Sequence, residues 1–246
     1  MTRETTHEKL YHYPRLYTLM TLKLGVDIIL PEEQSHYLKN VLRRDVGNTI
    51  RLFNQEDGEW LGSITTVQKK HIIIHIERQI RPIEERKQDI HLLFSPLKKE
   101  RMDMLIEKSV ELGVTHLHPV LFARSIVREI KPERVKAQII EAAEQCERLS
   151  IPHLTPLKEF KKVLNEWNTD IPLFAAIERT DAIKLSDVTP KSDKMALCIG
   201  PEGGISDEES NFLLSHKFIT PVSLGKNILR AETAVFYGLS VLSARL

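Results

Sequence analysis

The chain has only two cysteines, Cys146 and Cys198, and they stand far apart, each within an apolar pattern. That excludes a disulfide framework and a cysteine-built zinc site, and it suits a reducing compartment. No apolar run reaches the ~18 residues that a membrane-spanning helix needs. Residues 1–10 are polar, include Glu4 and Glu8, and lack an apolar signal region. A cytoplasmic location with no membrane partner is the expectation. Surplus charge is also missing: 35 basic and 34 acidic residues give a net charge of +1. Any nucleic-acid surface must therefore be a local patch. Glycine is scarce, 10 in 246 residues, yet Gly200, Gly203 and Gly204 crowd into one turn.

What is present suits one large soluble domain or two smaller ones, with 41% hydrophobic residues to fill a core and 28% charged residues to cover it. Residues 14–80 read as β-rich. Short apolar runs at 15–22 and 27–30 precede one helix at 31–42, whose buried stripe is expected to be Tyr37, Leu38, Val41 and Leu42. Strands at 49–54 and 59–67 flank the hairpin signal Gln55-Glu56-Asp57-Gly58, and 71–76 is a β-branched strand. One helix among about five strands predicts a small barrel over residues 1–80. Residues 81–87 are charged and aperiodic, which marks a linker.

Beyond the linker, strands alternate with helices, the pattern of an α/β fold with a mostly parallel sheet. Strands are expected at 90–94, 116–120, 172–176, 195–199 and 221–224. A helix at 99–112 buries Met102, Leu105, Ile106, Ser109 and Leu112 and stops at Gly113. Pro132 opens a helix that runs to about Leu149, lined by Val135, Ile139, Ala142, Cys146 and Leu149. The last helix, 231–246, is apolar nearly all round, which calls for cover on both sides, by the core or by a second subunit.

The turn Ile199-Gly200-Pro201-Glu202-Gly203-Gly204-Ile205-Ser206 lies between a strand and a helix at 207–218. Its glycines let a ligand approach the backbone, and Ser206 with Glu209 makes a capping box. A second glycine turn follows at Leu224-Gly225. The spacing fits neither the dinucleotide fingerprint nor the phosphate-binding P-loop. Spacing alone is equally compatible with two tight turns of an ordinary α/β domain.

These turns, followed by Ile228-Leu229-Arg230-Ala231-Glu232-Thr233 and a terminal apolar helix, resemble the knotted SPOUT-class methyltransferases. The closer resemblance is to the family that methylates N3 of a uridine in 16S ribosomal RNA. It is carried further by Glu107-Lys108-Ser109-Val110-Glu111-Leu112-Gly113, by Glu141 to Cys146 with Arg148 and Pro152, and by His36 through Arg43. One departure is Glu147, where a small residue is expected, and its charge bears on RNA contact. The resemblance implies a PUA-like β-barrel at 1–80 that binds RNA and a SPOUT domain with a trefoil knot at 81–246. It also implies bound S-adenosylmethionine in a bent form, a homodimer packed through the knot, and 16S rRNA within the small ribosomal subunit as partner.

On that resemblance, Leu224, Gly225, Ile228 and Leu229 offer the adenine an apolar floor and main-chain groups. Ile199, Gly200, Gly203 and Gly204 approach the ribose and methionine, and Thr233 is structural or a cofactor contact. Glu202 either bonds the ligand or holds its own loop. Methyl transfer needs an aligned nucleophile and control of charge on the uracil oxygens. Arg230 is the candidate cation, against the alternative of a salt bridge to Glu232; it is also counted with the cofactor contacts. Glu232 is the candidate base, or else caps the helix. Arg43, Arg44, Lys98, Arg101, Arg124 and Arg148 are the candidate RNA contacts, and Tyr11, Tyr13 and Tyr17 either stack on bases or pack in the core. No metal is expected: His71 with His75, and His116 with His118, share strand faces without a nearby third ligand. RNA affinity measured against salt should fall with a log–log slope of about −0.7 per phosphate neutralised on single strands; a flat response contradicts the basic contacts.

Overall fold

A computed structural model describes residues 10–83, 88–177, 181–190 and 192–244. Most of the expected linker therefore lies outside the described residues, as do residues 245–246. The chain forms two compact units: residues 1–85 with 144–150, and residues 86–143 with 151–246.

The first unit is a five-stranded mixed sheet in the order β1-β3-β4-β5-β2. Its strands are β1 (Arg15–Tyr17), β2 (Asp27–Ile29), β3 (Thr49–Asn54), β4 (Gly58–Val67) and β5 (Ile72–Arg81). Only β1 and β3 run parallel. In β5 the side chains of Ile72, Ile74 and Ile76 point inward on alternate positions and meet Leu16, Ile28, Ile50, Leu52 and Ile64 in one core. Register shifts between β4 and β5 bend the pair, as bulges do. The single expected helix is instead a short helix α1 (Glu32–His36) running into a π turn (Tyr37–Val41). Of its expected stripe Leu38 is buried and Leu42 is half-buried against the core, whereas Tyr37 and Val41 are exposed. Arg43 follows in the left-handed region, φ 52°, which ends helical winding.

A buried ionic cluster holds the residue 144–150 segment within this unit. The Glu59 side chain is fully buried and accepts from Arg15 Nε at 3.1 Å, while Arg51 Nη1 and Arg81 Nη1 lie 3.3 and 3.4 Å from its oxygens. The Arg15 guanidinium also lies over the Phe53 ring at 3.4 Å. Burial lowers the Arg15 pKa, opposed by the Glu59 carboxylate. The same arginines reach the segment: Arg51 Nη2 donates to Glu147 Oε1 at 2.7 Å, Arg81 Nη1 to the Glu147 carbonyl at 2.6 Å and Arg15 Nη2 to the Arg148 carbonyl at 3.0 Å. Glu147 has φ 59°. That conformation favours glycine, which explains why a small residue was expected there. The Glu147 carboxylate, whose charge was expected to bear on RNA contact, is engaged by Arg51.

The second unit is an eight-stranded sheet, β11-β13-β10-β12-β6-β7-β8, with β9 paired to β7. Its strands are β6 (Asp89–Phe94), β7 (His116–Leu121), β8 (His153–Leu154), β9 (Lys158–Glu159), β10 (Leu173–Ala176), β11 (Ile183–Lys184), β12 (Lys194–Ile199) and β13 (Ile219–Ser223). Every pairing is parallel. Helices α2 (Lys99–Glu111), α3 (Pro132–Gln145), α4 (Phe160–Asn165), α5 (Asp207–Leu214) and α6 (Ala231–Ser243) complete it. The α3 helix stops short of the expected end, and Cys146 is exposed rather than part of an apolar face. The α5 helix also ends earlier, at Leu214, with Ile219 already in the next strand.

Central strand β12 is buried on both faces. Ala196 and Cys198 join Phe160, Leu164 and Leu213 beneath α4 and α5. Burial pushes the Cys198 thiol up to about 12. Leu197 points to the opposite face, where a Cβ on Gly238 of α6 would stand 2.7 Å from it. A mid-helix glycine costs about 1 kcal/mol; here it lets α6 lie close on the strand. The chain thus leaves α5 on one face, passes through β13, and places α6 on the other. The outer side of α6 is not apolar throughout: Thr233, Tyr237 and Ser240 are its exposed stripe.

Replacing Glu59 with alanine removes the buried carboxylate around which the Arg15, Arg51 and Arg81 guanidiniums gather. Urea unfolding should register a loss of ~3–5 kcal/mol; a loss within experimental error would show the cluster to be passive.

Candidate active site

Because all strands of the second sheet run parallel, the loops after β6, β7, β10, β12 and β13 emerge at one edge. Ligand sites of α/β sheets form at this carboxyl edge. After β12 the chain turns through Gly200 to Ser206 into α5. A Cβ on Gly200 would stand 2.6 Å from the Ile205 side chain, and one on Gly203 would stand 3.0 Å from Arg124 Cβ, so both glycines sit in close contact with neighbouring side chains. The capping box forms as the sequence predicts: Glu209 N donates to Ser206 Oγ at 3.2 Å and Ser206 N to Glu209 Oε2 at 3.0 Å.

Glu209 does more than cap. Its other oxygen accepts from Ala123 N at 2.7 Å, tying the loop after β7 to the turn after β12. Arg124 Nη1 donates to the Gly203 carbonyl at 3.2 Å along the same seam. The loops after β6 and β7 are joined by the buried hydroxyls of Ser95 and Ser125, 2.8 Å apart. Three loops are therefore cross-linked before any ligand arrives.

The loop between β13 and α6 is the opposite in character. Gly225, Lys226, Asn227 and Ile228 are exposed, with Leu224 and Leu229 half-buried, and Gly225 has φ 127°. The backbone N–H groups of residues 226–229 find no acceptor among the described residues. Arg230 is the N-cap residue of α6, and no side chain caps that helix. Main-chain donors thus stand open to a ligand along this loop, and Gly225 adds no Cβ to block them.

Three charged groups converge beside these loops. Arg101 of α2 places Nη1 3.4 Å from Glu202 Oε1 and Nε 3.8 Å from Glu232 Oε1. Glu232 is buried, and its Oε2 has no hydrogen-bond partner. An unmatched buried oxygen of this kind costs about 1–3 kcal/mol unless a donor reaches it.

The structure therefore brings together Ile199, Gly200, Glu202, Gly203, Gly204 and Glu232 with Arg101 and Arg124. Glu202 pairs with Arg101 of α2. Arg230 is exposed and forms no ion pair among the described residues, and the acid it was weighed against pairs with Arg101 instead. Thr233 is exposed one turn into α6. Arg101 and Arg124, read from sequence as RNA contacts, are engaged with the glycine turn. Lys98 is exposed at the start of α2. In the first unit Arg43 is exposed, Arg44 is half-buried, and Arg148 donates to Ser150 Oγ at 2.9 Å. Tyr17 packs edge-on against Phe53 while Tyr11 is exposed. Sequence reasoning missed the clamping role of Arg101 and the second contact of Glu209. Their partners lie far along the chain, and no local pattern announces them.

Residues 84–243 match the model of the RNA methyltransferase domain, and residues 30–77 match that of the RNA methyltransferase PUA domain. A ribosomal RNA small subunit methyltransferase E of Rickettsia conorii is 32% identical over 90% of this chain and 91% of its own. The chain belongs to the ribosomal RNA small subunit methyltransferase E family. Two solved structures agree with this membership. The family member from Neisseria gonorrhoeae, bound to S-adenosyl methionine, is 31% identical with a TM-score of 0.85, covering 95% of this chain and 98% of that one. A methyltransferase of Legionella pneumophila in complex with the cofactor SAM gives 32% and 0.85 over the same shares.

In this methyltransferase E fold the Glu209 carboxylate serves two loops at once. The Glu209→Ala variant should lose about 1–3 kcal/mol in thermal or urea unfolding, through the cap and the Ala123 amide together. Unchanged stability would mean that solvent satisfies both.

Proposed function

We propose that the protein methylates N3 of a uridine in 16S rRNA of the small ribosomal subunit, with S-adenosylmethionine as donor. The observation that carries the chemistry is the unpartnered Oε2 of buried Glu232 at the carboxyl edge, beside an unpaired Arg230 and an open backbone loop. The residues suit such a cofactor. The N–H groups of residues 226–229 match the hydrogen-bonding edge of an adenine, Leu224 and Leu229 supply apolar surface, and the turn at Gly200, Gly203 and Gly204 bares backbone for the ribose and methionine. When bound, S-adenosylmethionine supplies an electrophilic methyl group for in-line displacement.

Uracil N3 carries a proton and must lose it to become a good nucleophile. Glu232 Oε2 accepts that proton. Arg101, on the other oxygen, keeps the carboxylate oriented. Arg230 donates toward the uracil oxygens where negative charge gathers, and its exposure leaves it able to reach a flipped-out base. The first unit, with its PUA-type sheet and Arg43, Arg44 and Arg148, binds the RNA; Lys98 adds charge from the second. The protein works in the cytoplasm as a homodimer, with Tyr237 on the outer side of α6 as an apolar group for the second copy to cover. A trefoil knot is consistent with the passage of the chain from α5 on one sheet face to α6 on the other.

Small ribosomal subunits from a strain lacking the modification, incubated with labelled cofactor and digested to nucleosides, should yield N3-methyluridine. Methyl on a ribose oxygen, or on transfer RNA alone, contradicts the proposal, and no cofactor binding in calorimetry would mark a silent RNA-binding protein. Arg230→Ala should hold cofactor affinity within a few-fold and lower turnover by roughly 10²–10³. Glu232→Gln should lower turnover by ~10²–10⁴. Unchanged turnover removes either residue from the mechanism.

A further inference from the structure

At the opposite edge of the second sheet, where its strands begin, five polar side chains that the methyl-transfer chemistry does not use gather on one face. His91 of β6, His116 of β7 and His153 of β8 are register partners across three parallel strands. The His91 and His116 rings stack with centroids 4.2 Å apart. Asp89, at the start of β6, faces both: its Oδ1 lies 3.2 Å from His91 Nε2 and 3.1 Å from His116 Nδ1. His118 Nε2 is 2.9 Å from His91 Nδ1. The Trp167 ring closes over His91 and His118 edge-on.

We propose that Asp89, His91 and His116 bind one divalent transition-metal ion of the zinc class. Two imidazole nitrogens and a carboxylate oxygen are a donor set that zinc takes. Their ligand atoms lie within 4.8 Å of one another. A tetrahedral ion with bonds of about 2.0–2.1 Å sets its ligand atoms roughly 3.3 Å apart. Two of the three separations already match. The third closes when the His116 ring, about a third exposed, turns on its side-chain torsions toward the buried His91.

An independent observation points the same way. His91 Nε2 is buried and makes no hydrogen bond, although a carboxylate oxygen stands beside it. Asp89 Oδ1 meanwhile serves the Thr115 hydroxyl at 2.6 Å and His116 at once. In the tautomer whose Nδ1–H donates to His118, the His91 Nε2 lone pair faces the Asp89 carboxylate, an arrangement that a cation between them stabilises. The bond between His91 Nδ1 and His118 Nε2 fixes the ring, the role that outer partners play for metal-bound histidines. The ion would staple β6 to β7 and leave its fourth position to water. About 10 Å of strand separates His91 from the Phe94 end of β6, so the site stands apart from the proposed methyl-transfer chemistry.

The test uses the untagged full-length chain, stripped with chelator and titrated with zinc chloride by calorimetry, then with cobalt(II) while visible absorption is recorded. One ion per chain, with the absorption bands of a four-coordinate nitrogen and oxygen site, is expected. Asp89→Asn and His116→Ala, both at partly exposed positions, should each weaken zinc at least tenfold while circular dichroism and cofactor binding stay as in the parent. Absence of stoichiometric zinc or cobalt binding by the parent chain overturns the proposal. So does binding that survives both substitutions undiminished, since the ion would then sit elsewhere.

Discussion

The parallel polarity of the second sheet is the constraint on which the rest depends. Parallel strands need a long crossover after each one, and those crossovers deliver five loops to one edge. Within that edge the loops divide by stiffness. Those after β6, β7 and β12 are bound together by Ser95 with Ser125, by Glu209 and by Arg124. The loop after β13 keeps its amides open. Cross-linked loops at the same edge as a loop with open amides suit a cofactor recognised mainly through main-chain groups, since less must be ordered on binding.

Charge is handled differently in the two units. In the first, Glu59 is surrounded by three arginines, and every oxygen is engaged. Such a cluster fixes one arrangement of the β1, β3 and β5 strands and holds residues 144–150 against them. In the second, Arg101 divides its charge between Glu202 and Glu232 and leaves one buried oxygen unmatched. The first arrangement is closed and structural. The second retains an unsatisfied acceptor at the edge where chemistry is expected, which is the distinction between a finished ionic cluster and one awaiting a ligand.

Where local chemistry decides an element, the sequence was legible. The turn residues of the β3–β4 hairpin and the capping box at Ser206 each act within a few residues and were read correctly, whereas β5 runs past its expected end at Ile76 to Arg81. Helix ends decided by distant partners were not. The apolar pattern of α3 continues through Cys146 and Leu149, but the chain turns left-handed at Glu147, where Arg51 and Arg81 hold it. The apolar spacing of Tyr37, Leu38, Val41 and Leu42 suggested one regular helix, whereas the π turn turns Tyr37 and Val41 outward and keeps Leu38, with half-buried Leu42, on the core. The glycine turns were visible as a candidate site, and the family resemblance named their ligand. The pairing of Arg101 with Glu232 was not visible, because it joins two helices separated by the whole sheet sequence. For the same reason His116 and His118 looked like a pair without company. Their partners, His91 and Asp89, come from the neighbouring strand.

The central proposal is that main-chain groups of the loop after β13, together with the glycine turn after β12, bind the cofactor. A crystal structure of the chain grown with S-adenosylmethionine tests it most directly. The account predicts the adenine bonded to backbone groups between Leu224 and Leu229, with the methionine end directed along Gly200 to Gly204. Cofactor density at any other edge of the sheet, or a cleft left empty at saturating cofactor, would contradict it.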